Sequence, residues 1–353
     1  MKALYYERFG GPVEVADLAE PALPEGGAVV RVEASGLCRS DWHAWMGHDD
    51  SVHLPHVPGH EFAGVVEAVG RGVTRWRPGD RVTAPFVNGC GECEWCRAGA
   101  AQVCPDQTQP GFTHWGSHAE FVAVRAADTN LVQVPDGLDS AAAAALGCRF
   151  ATAFRAVTAR ARIQPGEWLA VYGAGGVGLS AVMIASALGA RVVAVDRSPA
   201  ALEVAARAGA EHTVPAGPDA VQSVQEATGG GAHSSIDAVG SPETANAGIR
   251  SLRRHGRHVQ VGLLPASTPD LPLDRVIAWE LDVLGSHGMA AADYPAMLDL
   301  VASGRLRPQD LVGRTVGFPE AARLLETADS APPVGIAVLR PAGHLSDSTG
   351  LAG

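Results

Sequence analysis

All six cysteines of the chain fall into patterns that hold metal. Cys90, Cys93, Cys96 and Cys104 form one run, C-x2-C-x2-C-x7-C, which can close a tetrahedral thiolate site unaided. A zinc held there shapes a loop and has no vacancy for chemistry. Cys38 and Cys148 stand far apart, with His60 between them in Gly59-His60-Glu61. That dispersed set supplies three or four N, S or O donors, which suits a zinc with a position open for substrate. A redox or disulfide cluster is the competing reading of the thiol run, and a complete set of four in a reducing compartment disfavours it. His48, His53 and His56 lie near the dispersed ligands and read as ordinary loop histidines.

A second chemical signature follows. Gly173-Ala174-Gly175-Gly176-Val177-Gly178 fits G-x-G-x-x-G. It lies between a predicted strand, Trp168 to Tyr172, and a predicted Ala-rich helix, Val177 to Leu188. The start of such a helix aims unpaired N–H groups at a pyrophosphate. Asp196 ends the next strand, where a carboxylate can hold both ribose hydroxyls and repel a 2′-phosphate. NAD is therefore preferred over NADP, and Arg197 beside the acid softens the preference.

These residues need two kinds of scaffold. Up to about residue 150 the chain reads as short strands broken by Gly and Pro, for example Val29 to Ala34, Gly64 to Val69 and Arg81 to Ala84. From Gly166 strands and helices alternate: strands at Arg191 to Val195, Ser235 to Val239, Arg257 to Val261 and Leu281 to Leu284, helices at Pro199 to Arg207 and Glu243 to Arg253. That alternation predicts a parallel sheet covered on both faces. The expected division is 1–150 (β-rich, carrying both metal sites), 151–290 (nucleotide-binding) and 291–353 (a return to the first domain, with a loose tail from Pro341). The 353 residues, 46% hydrophobic and 18% charged, suit two soluble cores. A net charge of −11 argues against nucleic acid as a partner. No apolar run is long enough for a membrane helix. The N-terminus reads as a strand, without a secretory leader, so the expected location is cytoplasmic.

The order Cys38-Arg39-Ser40-Asp41-Trp42-His43, Gly59-His60-Glu61, the four-Cys lobe, Gly147-Cys148 and the Gly fingerprint resembles the zinc-dependent alcohol dehydrogenases of the medium-chain dehydrogenase/reductase family. The likeness runs from Met1 to about Leu339. It implies an α/β protein: a GroES-like β-rich catalytic domain, a Rossmann doubly wound parallel-sheet domain, and an active site in the cleft between them. By the same resemblance Cys38, His60 and Cys148 are the catalytic zinc ligands, and Glu61 is the acid close behind the metal that sometimes coordinates it. Asp41 orients the ligand His, Ser40 hydrogen-bonds the alcohol, and His43 passes its proton to solvent through the cofactor ribose. Arg39 resembles a pyrophosphate contact, and Phe86, with Trp115 as companion, lines the substrate pocket. Relatives often carry a basic residue on the last strand. Here that strand reads Val334 to Leu339, and Arg340 follows out of register.

The expected activity is reversible hydride transfer between a hydrophobic primary or secondary alcohol and NAD, with two zinc ions per chain. A polyol, threonine or allylic-alcohol dehydrogenase and a carbonyl or imine reductase share these motifs. A binding protein that kept zinc and nucleotide without catalysis is the reading from another class. The family implies a homodimer or homotetramer.

Overall fold

In the computed structural model, which describes residues 1–264, 270–330 and 335–341, two compact units account for the chain. The first contains Met1–Cys148, Ala290–Asp293 and the described residues from Val312 onward. Its short strands β1 (Lys2–Tyr5) and β2 (Glu14–Asp17) pair antiparallel and lead into β3 (Ala28–Leu37). Val29, Val30 and Val32 give β3 the β-branched bulk that suits a buried pleat. Along one edge β3 pairs antiparallel with β4 (Glu61–Val69), and the sheet continues to β5 (Arg81–Thr83). Its other edge is shared. β6 (Phe121–Val124) pairs with Ala28 to Arg31. Beyond β5 lies β7 (Val132–Gln133).

Val30, Val32, Phe62, Val66 and Val82 form the core beneath this sheet. Phe62 is fully buried there, and truncating such a ring to Ala costs about 3–5 kcal/mol. A second cluster joins Leu4, Trp45, Phe318 and Leu325. It clamps the helix Arg39–Trp45, which carries several candidate residues, against the helix Phe318–Glu326.

The second unit contains Arg149–Met289 and Tyr294–Leu311. Its strands are β8 (Trp168–Tyr172), β9 (Arg191–Asp196), β10 (His212–Pro215), β11 (Ala232–Asp237), β12 (Leu252–Gln260) and β13 (Asp282–Gly285). All pair parallel, in the order β10-β9-β8-β11-β12-β13. Every residue of β8 is buried, as expected of a parallel strand covered on both faces. The order reverses between β8 and β11, the position at which open α/β sheets bind ligands.

The first unit is completed by β14 (Val312–Val316) and β15 (Ile336–Leu339), which pairs antiparallel with Ser35 to Leu37 of β3. The expected return from residue 291 is therefore interrupted. Tyr294–Leu311 stays with the second unit, because the helix Tyr294–Ala302 packs on Ala151–Arg155 and the turn Pro308–Leu311 packs on Gly176–Ala187. Tyr294 and Met297 are fully buried there. The tail beyond Pro341 and Val334 lie outside the described residues.

Candidate active site

The metal-ligand residues of the dispersed set meet where β3 ends and β4 begins. Gly36 pairs with Glu61 in the sheet, so Cys38, just past β3, and His60, just before β4, are brought side by side. Cys148 reaches them from a π-helical turn, Leu146–Phe150; such turns are rare and cluster at functional sites. One donor atom each from Cys38, His60, Glu61 and Cys148 lies within 4.8 Å of all the others. His60 and Glu61 are fully buried. Nδ1 of His60 bonds Asp41 Oδ1 at 2.8 Å, while its buried Nε2 has no hydrogen-bond partner. An imidazole nitrogen without a partner beside two thiols and a carboxylate is what a cation would satisfy. The donor set fits zinc.

Asp41 holds this arrangement together. Its Oδ2 accepts the Cys38 N–H at 2.8 Å and its Oδ1 accepts the Gly59 N–H at 3.1 Å. Oδ2 also lies 3.4 Å from Nε2 of His118, a residue the sequence reading did not single out. His118 is fully buried, with Nδ1 2.8 Å from Ser35 Oγ, which in turn lies 2.7 Å from Ser117 Oγ. Burial opposes ionisation of Asp41, but the charges and hydrogen bonds of His60 and His118 hold its carboxyl far below the usual range. Burial likewise opposes protonation of His60, and Asp41 outweighs it and raises the pKa well above the ordinary value. Gly59 has φ +105°, and a Cβ there would sit 2.4 Å from the His118 backbone nitrogen. Only glycine fits the turn that delivers His60.

Ser40 and His43 lie three residues apart on the helix Arg39–Trp45. Ser40 Oγ is 3.7 Å from Cys38 Sγ. His43 Nδ1 lies 3.0 Å from His48 Nδ1. Burial, Arg39 and His48 lower the His43 pKa from 6.5, against smaller opposing effects of Cys38 and Asp329. Arg39 is half exposed and pairs with Asp329, and its guanidinium lies over the Trp42 ring. Arg340 follows β15 and pairs with Asp139 at 2.8 Å. Two aromatic rings flank His60: Phe86 at 6.0 Å and Phe112 at 5.2 Å between centroids. Trp115 lies elsewhere, edge-on to Tyr5 at 6.5 Å and bonded to the Pro55 carbonyl. Phe112 carried no signal in the sequence beyond being an aromatic in a Gly-rich loop.

The four-Cys run folds into one lobe. Cys90 and Cys96 sulfurs lie 4.0 Å apart, those of Cys93 and Cys104 3.7 Å apart. Tetrahedral zinc with bonds of about 2.3 Å requires edges of about 3.8 Å. Backbone N–H groups of Cys93, Cys96 and Cys90 point at Cys90, Cys93 and Cys104 sulfur, each at 3.4 Å. The N–H groups of Glu92 and Cys93 draw the Cys90 thiol down to about 7, while burial pushes Cys96 up to about 12. A dication removes that penalty on gathering thiolates.

In the second unit the Gly-rich turn follows β8, and the helix Gly176–Ala187 begins inside it. A Cβ on Gly178 would lie 1.7 Å from the Gly173 carbonyl oxygen, so the turn cannot close with any other residue. At Gly175 nothing lies within 4 Å, which leaves the backbone open to a ligand. Val177 follows in the first helical turn. Asp196 ends β9 and accepts the Ala174 N–H at 2.7 Å and the Ser198 N–H at 2.8 Å, with exposed Arg197 beside it. The acid thus buttresses the turn that it borders.

Two family models match the chain: one described as an alcohol dehydrogenase GroES-like domain, over residues 24–136, and one as a zinc-binding dehydrogenase, over 176–303. An alcohol dehydrogenase of Geobacillus stearothermophilus is 36% identical over 312 residues, covering 87% of this chain and 90% of that protein. The solved alcohol dehydrogenase TADH from Thermus sp. ATN1 superposes with a TM-score of 0.88 at 34% identity, over 97% of this chain and 100% of that one. A solved NAD-dependent alcohol dehydrogenase gives a TM-score of 0.86 at 34% identity, over 96% and 99%.

Proposed function

Since the chain belongs to the zinc-dependent alcohol dehydrogenases of the medium-chain dehydrogenase/reductase family, we propose that it transfers hydride reversibly between a hydrophobic primary or secondary alcohol and NAD, giving the aldehyde or ketone. The observation that carries this reading is the partnerless, fully buried Nε2 of His60 amid the donors of Cys38, Glu61 and Cys148. A zinc ion bound there supplies Lewis acidity that makes a hydroxyl proton labile, and NAD supplies the hydride acceptor. Cys38, His60 and Cys148 would hold the metal, and Glu61 is the acid close behind it that can also coordinate it. Asp41 fixes the Nδ1–H tautomer of His60. Ser40 Oγ would accept the substrate proton as it gives up its own hydroxyl proton, which passes on toward His43 and is carried away there. Phe86 and Phe112 wall the site with apolar surface and exclude water.

The same reading assigns a second, structural zinc to Cys90, Cys93, Cys96 and Cys104, with NAD favoured over NADP by Asp196. Arg39 and the helix end at Gly176 are the candidate pyrophosphate contacts. Edge strand β13, with Val283 exposed, and exposed Leu273 and Ile277 nearby in sequence support assembly into a homo-oligomer. No helix among the described residues is long and apolar enough to cross a membrane.

The test is Cys38→Ser with metal analysis. We expect two zinc ions per wild-type chain, turnover of apolar alcohols with NAD, and abolished turnover with retained NAD binding in the variant. Near-normal turnover would remove Cys38 from the chemistry. A panel of alcohols, polyols and imines then separates the related dehydrogenases and reductases.

A further inference from the structure

Resting on the alcohol dehydrogenase reading, we propose that His48 is an outer proton-relay residue, which takes the proton from His43 and releases it to water. The helix Arg39–Trp45 ends in a turn that places this residue. Gly47, at φ +75°, donates its N–H to Ala44 O at 3.0 Å, and His48 donates its own to His43 O at 2.9 Å. These two bonds are the Schellman closure of a helix, which needs glycine in the left-handed position. A Cβ on Gly47 would also sit 2.9 Å from the Phe9 ring. The chain therefore doubles back, and His48 lies over His43.

The two Nδ1 atoms are 3.0 Å apart and the ring centroids 5.3 Å apart. Trp42 meets both imidazoles edge-on, at 5.0 and 5.6 Å. His43 is half-buried and His48 exposed. Two imidazole nitrogens at that distance require one proton between them, one ring donating and the other accepting. When His43 gains a proton, its Nδ1–H bond breaks as a new N–H forms on His48, and the exposed ring gives a proton to water. One proton enters the pair and one leaves, with nothing oxidised or reduced, and exchange with water resets both rings. Burial, Arg39 and His48 itself disfavour charge on His43, while Cys38 and Asp329 favour it. A proton on the inner ring thus has reason to move outward.

The test compares wild type, His48→Gln and His43→Gln for alcohol oxidation between about pH 6 and 9, with and without added imidazole. We expect His48→Gln to lower kcat/KM by about tenfold near the acidic end, with recovery in imidazole buffer and a vanishing deficit near the alkaline end, where hydroxide accepts the proton. NAD affinity and zinc content should stay at wild-type values. A wild-type profile in His48→Gln, or a uniform loss that imidazole does not rescue, would overturn the proposal. If His43→Gln also leaves the profile intact, the underlying relay fails with it. If only His43→Gln changes the profile, His48 alone is excluded.

Discussion

Asp41→Asn keeps the shape of a fully buried side chain and removes its charge. Oδ2 of Asp41 faces the Cys38 N–H and His118 Nε2; Oδ1 faces the Gly59 N–H and His60 Nδ1. An amide offers one acceptor oxygen, so its NH2 group must turn toward one of these donor pairs. A buried donor left without an acceptor costs about 1–3 kcal/mol. Part of that cost falls on the orientation of His60, whose basicity toward a metal also drops once the carboxylate charge is gone. Loss of such an outer partner weakens metal binding by about 10–100-fold, or about 1.4–2.7 kcal/mol. The assay is competition for zinc against a graded chelator, with metal counted per chain and the fold checked by circular dichroism. Asp41 bonds and pairs with Cys38, Gly59, His60 and His118, all outside the four-Cys lobe, so one zinc should remain firmly held while the other is stripped at lower chelator concentration. A folded variant that keeps both ions at wild-type affinity would refute the argument that Asp41 orients His60.

Gly59→Ala should destabilise the first unit by about 2–5 kcal/mol, combining left-handed backbone strain with a clash against backbone at 2.4 Å. An unchanged melting temperature of the zinc-loaded protein would contradict it. Asp196→Ala should weaken NAD and narrow its advantage over NADP, through the lost carboxylate and the loosened Ala174 N–H, and an unchanged ratio of the two cofactors' kcat/KM values would assign the preference to another residue. His43 accepts a proton during alcohol oxidation, so its neutral form is the active one. With its pKa lowered from 6.5 by burial, Arg39 and His48, the acidic limb of the kcat/KM profile should fall below pH 6.5 and disappear in His43→Gln. A limb above that value would exclude His43 as the base.

Metal coordination demands particular atoms, so the two donor sets were legible from residue type and spacing alone. Parallel strands buried on both faces left equally clear traces: β8 is a continuous apolar run, β9 has one from Val192 to Val195, and Ser198-Pro199 marks the start of the helix Pro199–Arg207, where the Ser198 hydroxyl accepts the Ala201 N–H. Other elements gave no such trace. β10 buries only Val214 and ends in proline, and the helix Leu273–Trp279 buries none of its residues, so neither carries a periodic pattern. His118 is legible only through tertiary structure, because Gly111 and Gly116 let the chain fold against Gly59 and carry a distant histidine to Asp41. The same fold brings Phe112 rather than Trp115 to His60. His48 looked like loop material because nothing in a list of histidines reveals a helix that doubles back.

The shared edge of β3 has a consequence for the newborn protein. Its last residues, Ser35 to Leu37, lead straight to Cys38 and are flanked on that edge by β15. The ribosome makes β15 only after the entire second unit. Until then the strand that presents Cys38 has an open flank, whereas the four-Cys lobe is built from a short continuous stretch and is braced by Asn130, which bonds both the N–H and the carbonyl of Gly89 and precedes the second unit. On the two-zinc reading proposed above, metallation should proceed in translation order, the lobe filling on the nascent chain and the centre at Cys38 waiting for release.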